Sequence, residues 1–451
     1  MQGKHSEASY QGGNMAWNRA PAHGLPRHGA SGQDRRSISF VPRFRILFTP
    51  HARPDPSRSP RLLVPVLGIA QILAWGSSYY LLAVLARPIA ADTGWSFSWI
   101  VAGLSLGLLA AGFAAPRIGH IIKAQGGRPV LIAGSVLFAL GLLVMSLAPN
   151  IVIFLLSWVI MGLGMAAGLY DPAFSTLGRL YGHGARNLIT ALTLFGGFAS
   201  TLGWPLAAFF VESFGWRGAC LCFMGVHLCI TLPLYLFAVP KETADRAVEP
   251  EPASGNSSPT PAPPRRLFIL LAITTLLAAF LSTVISVHLL TLLQADGISL
   301  AAAVTFGALV GPSQVGARFI ESLIGKYHHP IWTKLASVLC VAVGLGLLWL
   351  GLPFIAVTLV FYGAGIGLES IARATLPLSL FGPADYAPIM GKLARPSLFA
   401  QAAAPSIGAF LIEHGSPETA LGAVVIGALL NVGLAVALLP MTRGLRPDAP
   451  S

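Results

Sequence analysis

Charge is scarce in this chain. Asp, Glu, Lys and Arg make up only 10% of its 451 residues, while 54% are hydrophobic and the mean hydropathy is +0.70. A soluble fold of this length could not hide so much apolar surface from water. Cysteine is sparse too: Cys220, Cys222, Cys229 and Cys340 all lie in apolar stretches without Cys-x-x-Cys spacing. They read as small packing residues, not as metal or redox centres. No Gly-x-x-x-x-Gly-Lys-Ser/Thr loop and no His-Glu-x-x-His helix occurs, so ATP-driven pumping and zinc proteolysis lose their usual signals. His328-His329 falls in a basic turn and reads as a solvated pair. No enzyme activity, cofactor or metal is expected.

What the chain has instead is apolar runs. Stretches of about 20 apolar residues, the length that crosses a bilayer, start near Leu62, Trp99, Val130, Ile151, Leu188, Ala219, Leu267, Leu300, Ile331, Pro353, Ala387 and Ala420. Each must be helical, because lipid offers backbone groups no hydrogen bonds and the period-two alternation of barrel strands is missing. The expected fold class is an all-α integral membrane protein of twelve transmembrane helices. Arg117 and Arg318, Pro129 and Pro330, Gly162 and Gly363, Gly164 and Gly365, Phe198 and Phe399, Phe209 and Phe410, and Glu212 and Glu413 are each 201 positions apart. That constant offset is the signature of duplicated transporter halves. The expected organisation is a disordered basic cytoplasmic tail (1–61), a first six-helix bundle (62–239), a Pro-rich cytoplasmic linker (240–266), a second bundle (267–440) and a short cytoplasmic tail (441–451).

With both termini cytoplasmic, that side collects nearly all of the Lys and Arg after residue 61, including Arg318, Lys334 and Arg373. The opposite side keeps only Arg87 and Arg217. This is the positive-inside bias, so the net charge of +12 reflects topology and not nucleic-acid binding. The polar N-terminal stretch has no apolar run beyond Arg45-Ile46-Leu47-Phe48, and so lacks a signal-peptide core.

Ionisable groups inside spanning helices are costly and therefore point to function. Asp171 follows Ile151 by 20 residues, or about 30 Å of helix. Pro172 has no amide for the Gly168 carbonyl, so the helix should loosen there. Glu369 and Arg373, four residues apart, should form a pair on one helix face. Gln71, Trp75 and Ser78 share a face of the first helix, with Tyr79 and Tyr80 beside them and Tyr170 next to Asp171. His288 is a lone titratable group near a helix end. Gly103 and Gly107, Gly164 and Gly168, and Gly363 and Gly367 should allow close helix packing.

The turn from Gly119 to Pro129, with Gly119, Gly126 and Arg128, resembles the signature loop of the major facilitator superfamily. With the six-plus-six layout, this implies the major facilitator fold, with a cavity lined by the first, fourth, seventh and tenth helices. Lys123 stands where that family has an acid, so the gate must be held differently or weakly. Asp92-Thr-Gly-Trp-Ser-Phe-Ser-Trp99 is similar to the entry into the second helix of monocarboxylate and oxalate/formate porters. Gln314-Val-Gly-Ala-Arg318 resembles an Asp-x-x-x-Arg element of monocarboxylate porters. Arg318 matches the substrate-binding arginine, and Gln314 replaces the aspartate.

These readings imply a secondary transporter of the inner (plasma) membrane, moving a small polar solute such as a carboxylate by proton-coupled alternating access. The expected partners are a small-molecule substrate, the lipid bilayer and protons. The chain is expected to be monomeric and to bind no nucleic acid. A non-transporting sensor or scaffold on the same fold, and an efflux porter, are the alternatives. The fifth span carries Gly196-Gly197 and Trp204-Pro205 but lacks the antiporter pattern Gly-Pro-x-x-Gly-Gly, which counts against efflux.

Overall fold

A computed structural model describes residues 60–241 and 265–443. The expected tail up to residue 59, the core of the linker (242–264) and the last eight residues lie outside the described residues. Every regular element among those described is a helix. In chain order these are α1 (Pro60–Gly76), α2 (Leu82–Thr93), α3 (Phe97–Gln125), α4 (Gly127–Ser146), α5 (Ile151–Gly168), α6 (Tyr170–Tyr181), α7 (Ala185–Gly196), α8 (Ala199–Val226) and α9 (Leu232–Ala238). After the linker come α10 (Arg265–Ala295), α11 (Leu300–Gly307), α12 (Val310–Ile324), α13 (Pro330–Trp349), α14 (Ile355–His414) and α15 (Pro417–Arg443). Seven helical runs among the described residues are long and apolar enough to cross a membrane.

Some of these runs are more than one crossing long. The 60 residues of α14, if straight, would measure about 90 Å, three times the hydrocarbon core of about 30 Å. The chain instead turns at Gly382, whose φ of 71° a side chain would resist. Past that turn, the Tyr386 hydroxyl donates back to the Ala374 carbonyl at 2.9 Å. Gly215, with φ 68°, breaks α8 in the same way. The rings of Phe210 and Phe223 then meet across the turn at 5.2 Å. Other helices are interrupted in place: α1 gives way to α2 over residues 77–81, and α5 to α6 at Leu169.

The 201-residue offset is visible in the packing. A Cβ on Gly162 would lie 2.1 Å from the Gly107 carbonyl oxygen, and one on Gly363 would lie 2.7 Å from that of Val310. Two residues on, Gly164 packs against Phe138 of α4, and Gly365 against Ser337 and Val341 of α13. Corresponding glycines thus let corresponding helices touch backbone to backbone, as the small-residue spacing predicts.

Residues 60–241 and 265–443 each hold a core, one around Phe154, Trp158 and Phe223, the other around Ile285, Leu345 and Tyr362. They meet along a seam near the linker end of the molecule. There Phe174 and Leu177 share a cluster with Leu378 and Tyr386. Gly119 lies against the Ala387 carbonyl, Gly391 against that of Ala115, and Lys123 pairs with Asp385 at 2.5 Å. At the opposite end Asp92 accepts from the Trp216 indole at 2.9 Å and pairs with Arg217. Those two donors hold its carboxyl below the usual carboxylate range.

Candidate functional site

Between the two parts lies a cavity of about 1520 Å³, counted out to its mouth. One wall is aromatic and comes from the interrupted helices. Trp75 stands 5.2 Å from Tyr170 and 5.4 Å from Tyr79, and Tyr79 packs on Tyr80 at 5.4 Å. The facing wall is polar and comes from α10, α12, α13 and α14, with Thr275, Gln314, Arg318, Ser337, Glu369 and Arg373. The Tyr170 hydroxyl and the Asn431 amide oxygen are buried there without a hydrogen-bond partner.

The aromatic wall depends on the break before Asp171. Pro172 leaves the Gly168 carbonyl without its helical donor, and the chain becomes extended at Leu169 (φ −85°, ψ −158°). The freed carbonyl accepts instead from the Gln71 side-chain amide at 2.8 Å. The Gln71 oxygen in turn takes the Trp75 indole N–H at 3.2 Å. Gln71, expected as a cavity residue, is fully buried and does not line the cavity; it holds the broken helix and aims Trp75.

The charges pair across helices and not along them. Glu369 and Arg373 were expected to neutralise each other, but each has found a closer partner on another element. Arg373 contacts Asp171 at 2.6 Å, so the expected acid of the fourth span is met by a cation from α14. Glu369 takes Lys334 at 2.5 Å and the Ser337 hydroxyl at 2.9 Å. Lys334, counted above with the cytoplasmic charges, is in fact 1% exposed. It stands four residues into α13 beneath α14, which covers it.

Arg318 is buried at 6% exposure and lines the cavity. Its guanidinium donates to three neutral acceptors: the Thr193 carbonyl (3.0 Å), the Gln314 amide oxygen (3.3 Å) and the Gly367 carbonyl (3.4 Å). It makes no ion pair among the described residues. Gln314, one turn from Arg318, is thus a neutral acceptor for it. His288 is turned away from the cavity: its Nε2 meets the Pro405 carbonyl at 3.0 Å, between α10 and α14.

The turn from Gly119 to Pro129 lies at the seam. Gly126, at φ 84°, separates α3 from α4. Arg128 donates to the Leu236 carbonyl, and Lys123 has its acid partner in Asp385. Nearby, Glu321 is 5% exposed and is met by Thr333 (2.7 Å), His328 (3.4 Å) and Arg186 (3.9 Å), while Arg186 also reaches the His328 carbonyl at 2.7 Å. Sequence reasoning missed Glu321, Lys334 and Asn431. The available signal was a polar residue inside or bordering an apolar run.

A long apolar chain folded around a polar central cavity defines a multi-pass membrane transport protein. Residues 67–394 match the Major Facilitator Superfamily, and the chain belongs to that family. The chain is thus placed among the membrane transport proteins of that superfamily. It is 30% identical over 276 residues to human monocarboxylate transporter 11, a stretch covering 58% of this chain and 54% of that protein. The mouse monocarboxylate transporter 11 is 33% identical over 183 residues, 37% of this chain and 38% of that protein. The chain thus matches about half or less of the length of these relatives. Among solved structures, the human organic anion transporter MFSD10 superimposes with TM-score 0.66 at 17% identity, covering 84% of this chain and 99% of its own. The proton:xylose symporter XylE does so with TM-score 0.61 at 16% identity, covering 85% and 95%. These two support the fold.

Proposed function

We propose that this transporter carries a small carboxylate together with a proton across the plasma membrane. In this reading twelve spans form two pseudo-symmetric six-helix halves, 62–239 and 267–440, within one monomeric chain. Both termini and the linker face the cytoplasm. Gly215 and Gly382 supply the turns just before the spans that start near Ala219 and Ala387, and the contacts at Lys123, Arg186 and Gly119 close the cytoplasmic side of the seam.

The observation that carries the substrate class is Arg318. A guanidinium inside an apolar bundle is costly without a counter-charge, and this one meets only neutral acceptors while facing the cavity. A carboxylate is the ligand whose two oxygens match its fork of donors, and the Trp75, Tyr79 and Tyr170 rings can receive the rest of a small organic acid. The relatives named monocarboxylate transporters favour the same class. The sensor or scaffold alternative drew its support from the altered signature loop, and the Lys123–Asp385 contact, which supplies an acid beside Lys123, favours the transporter reading.

Purified protein screened by thermal shift against organic acids, amino acids, sugars and organic cations tests this directly. A ligand at 100 times its Kd adds about 2.7 kcal/mol to the folded state. Carboxylates should raise the midpoint, and Arg318→Gln should abolish that response while leaving the unliganded midpoint near wild type. A response confined to sugars or cations would refute the assignment.

A further inference from the structure

The central cavity does not end at the aromatic wall. A second cavity of about 650 Å³, counted to its mouth, lies against α3, α5, α6 and α14. Trp75, Tyr79, Tyr170, Arg373 and Gln401 face both cavities, whereas Asp171 faces only the second. The 2.6 Å Arg373–Asp171 contact therefore stands in the partition between them, and both side chains are partly exposed, at 23% and 21%. Beyond the pair the second cavity is walled by Ala115, Ile118, Ile122 and Leu169 and runs to Gly119 and Ala387, where the seam closes.

Arg318 of α12 and Arg373 of α14 present two guanidinium stations at successive levels of α14. Arg318 donates to the carbonyl of Gly367, and Arg373 lies six residues further on, about 9 Å along a helix. The first station has no acid partner; the second has one that must leave. Resting on the carboxylate reading above, we propose that the Asp171–Arg373 pair is the inner gate of the substrate path and that the substrate itself opens it. A carboxylate held first at Arg318 passes to Arg373 and takes the place of Asp171.

The exchange balances. One carboxylate replaces another on Arg373, and Asp171, left in the partition without a counter-ion, takes at a carboxylate oxygen one proton supplied as hydronium from the bulk solution that fills the open cavity. The site is neutral before and after, so one proton accompanies each carboxylate. The groups around the pair leave Asp171 as the acid that responds. From α14, Glu369 is occupied by Lys334 and Ser337, and Tyr386 donates to the Ala374 carbonyl. From α12, Arg318 is a cation, from α6 Tyr170 is neutral, and α3 presents Ala115 and Ile118.

The test places a reporter beyond the gate. Ile118→Cys, on a background with Cys220, Cys222, Cys229 and Cys340 replaced by serine, faces the second cavity. A membrane-impermeant methanethiosulfonate is then applied in proteoliposomes from the side on which the central cavity opens. Without ligand, labelling should be slow in the reporter protein and about tenfold faster with Asp171→Asn added, equivalent to about 1.4 kcal/mol lost from the closed state. Lactate should accelerate labelling of the reporter protein, more so at acid pH. The charge-exchanged double variant Asp171→Arg/Arg373→Asp should close again, which keeps the test decisive if the single variant misfolds. Unchanged labelling in a folded Asp171→Asn protein would overturn the gate. Lactate that raises the thermal midpoint without changing labelling would overturn opening by substrate while leaving the carboxylate reading intact. Fast labelling in Asp171→Asn, with neither lactate nor oxalate binding, would instead uphold the gate and refute that reading.

Discussion

Arg318 and Lys334 are both cations buried in an apolar bundle, and they meet the cost in different ways. Lys334 is neutralised in place by Glu369 at 2.5 Å, with Ser337 completing the carboxylate's shell. Removing one member of such a pair strands the other. Lys334→Met should therefore lower stability by about 3–5 kcal/mol, while Lys334→Met/Glu369→Gln should recover most of the loss. Thermal midpoints in detergent decide this, and equal midpoints for the single and double variants would speak against a structural pair. Arg318 is neutral-capped, as the carboxylate reading requires. Its place was legible in the sequence because a four-residue spacing from Gln314 fixes one helix face whatever surrounds it. Lys334 was not legible: four residues after Pro330 it reads as a rim charge, and its partner lies 35 positions away on another helix. The expected Glu369–Arg373 pair failed for the same reason. Spacing permits a contact along a helix, but Lys334 and Asp171 offered each residue a partner from outside it.

At the scale of elements, interruptions in helices shape the site. The loosening at Asp171 could be anticipated because Pro172 lacks an amide whatever its context, but nothing local identified Gln71 as the replacement donor 97 positions away. Gln71→Leu should leave the Gly168 carbonyl buried and unpaired, costing about 1–3 kcal/mol, and should also release Trp75. Adding Pro172→Ala, which returns an amide to that turn, should restore part of the stability. If the second substitution destabilises Gln71→Leu further, the Gly168 carbonyl is not what Gln71 serves. Helix boundaries were legible where turn chemistry is strong, as at Gly126. They were legible too where one apolar run gives way to the next, since the runs starting near Ala219 and Ala387 place a turn close to Gly215 and Gly382.

For the molecule as a whole, the 201-residue offset covers the packing glycines and Arg117 with Arg318, but not the acids: Asp171 falls opposite Ala372 and Glu369 opposite Gly168. Gly162 and Gly363 perform equivalent close packing, yet Asp171, Glu369, Arg318 and Arg373 are not copies of one another across the 201-residue offset. The altered signature loop behaves similarly: Lys123 reverses the resemblance's charge, and Asp385 supplies the complement from beyond the Gly382 turn. Such an exposed pair contributes about 0–1 kcal/mol, so closure rests mainly on the apolar seam around Phe174 and Tyr386 and on the buried Glu321 cluster. The Arg373–Asp171 contact and the Arg318 bond to the Thr193 carbonyl also cross between the two parts. On the proposed reading, the residues offered to the substrate are among those that join the parts, which is what coupling of binding to rocking requires. The most direct measurement is uptake of radiolabelled small carboxylates into proteoliposomes under an inward proton gradient, with and without Arg318→Gln. The account predicts accumulation of at least one carboxylate above equilibrium, collapse of that accumulation when the gradient is discharged, and its loss in Arg318→Gln. Undiminished accumulation in Arg318→Gln, or no carboxylate flux in folded wild-type protein, would contradict it.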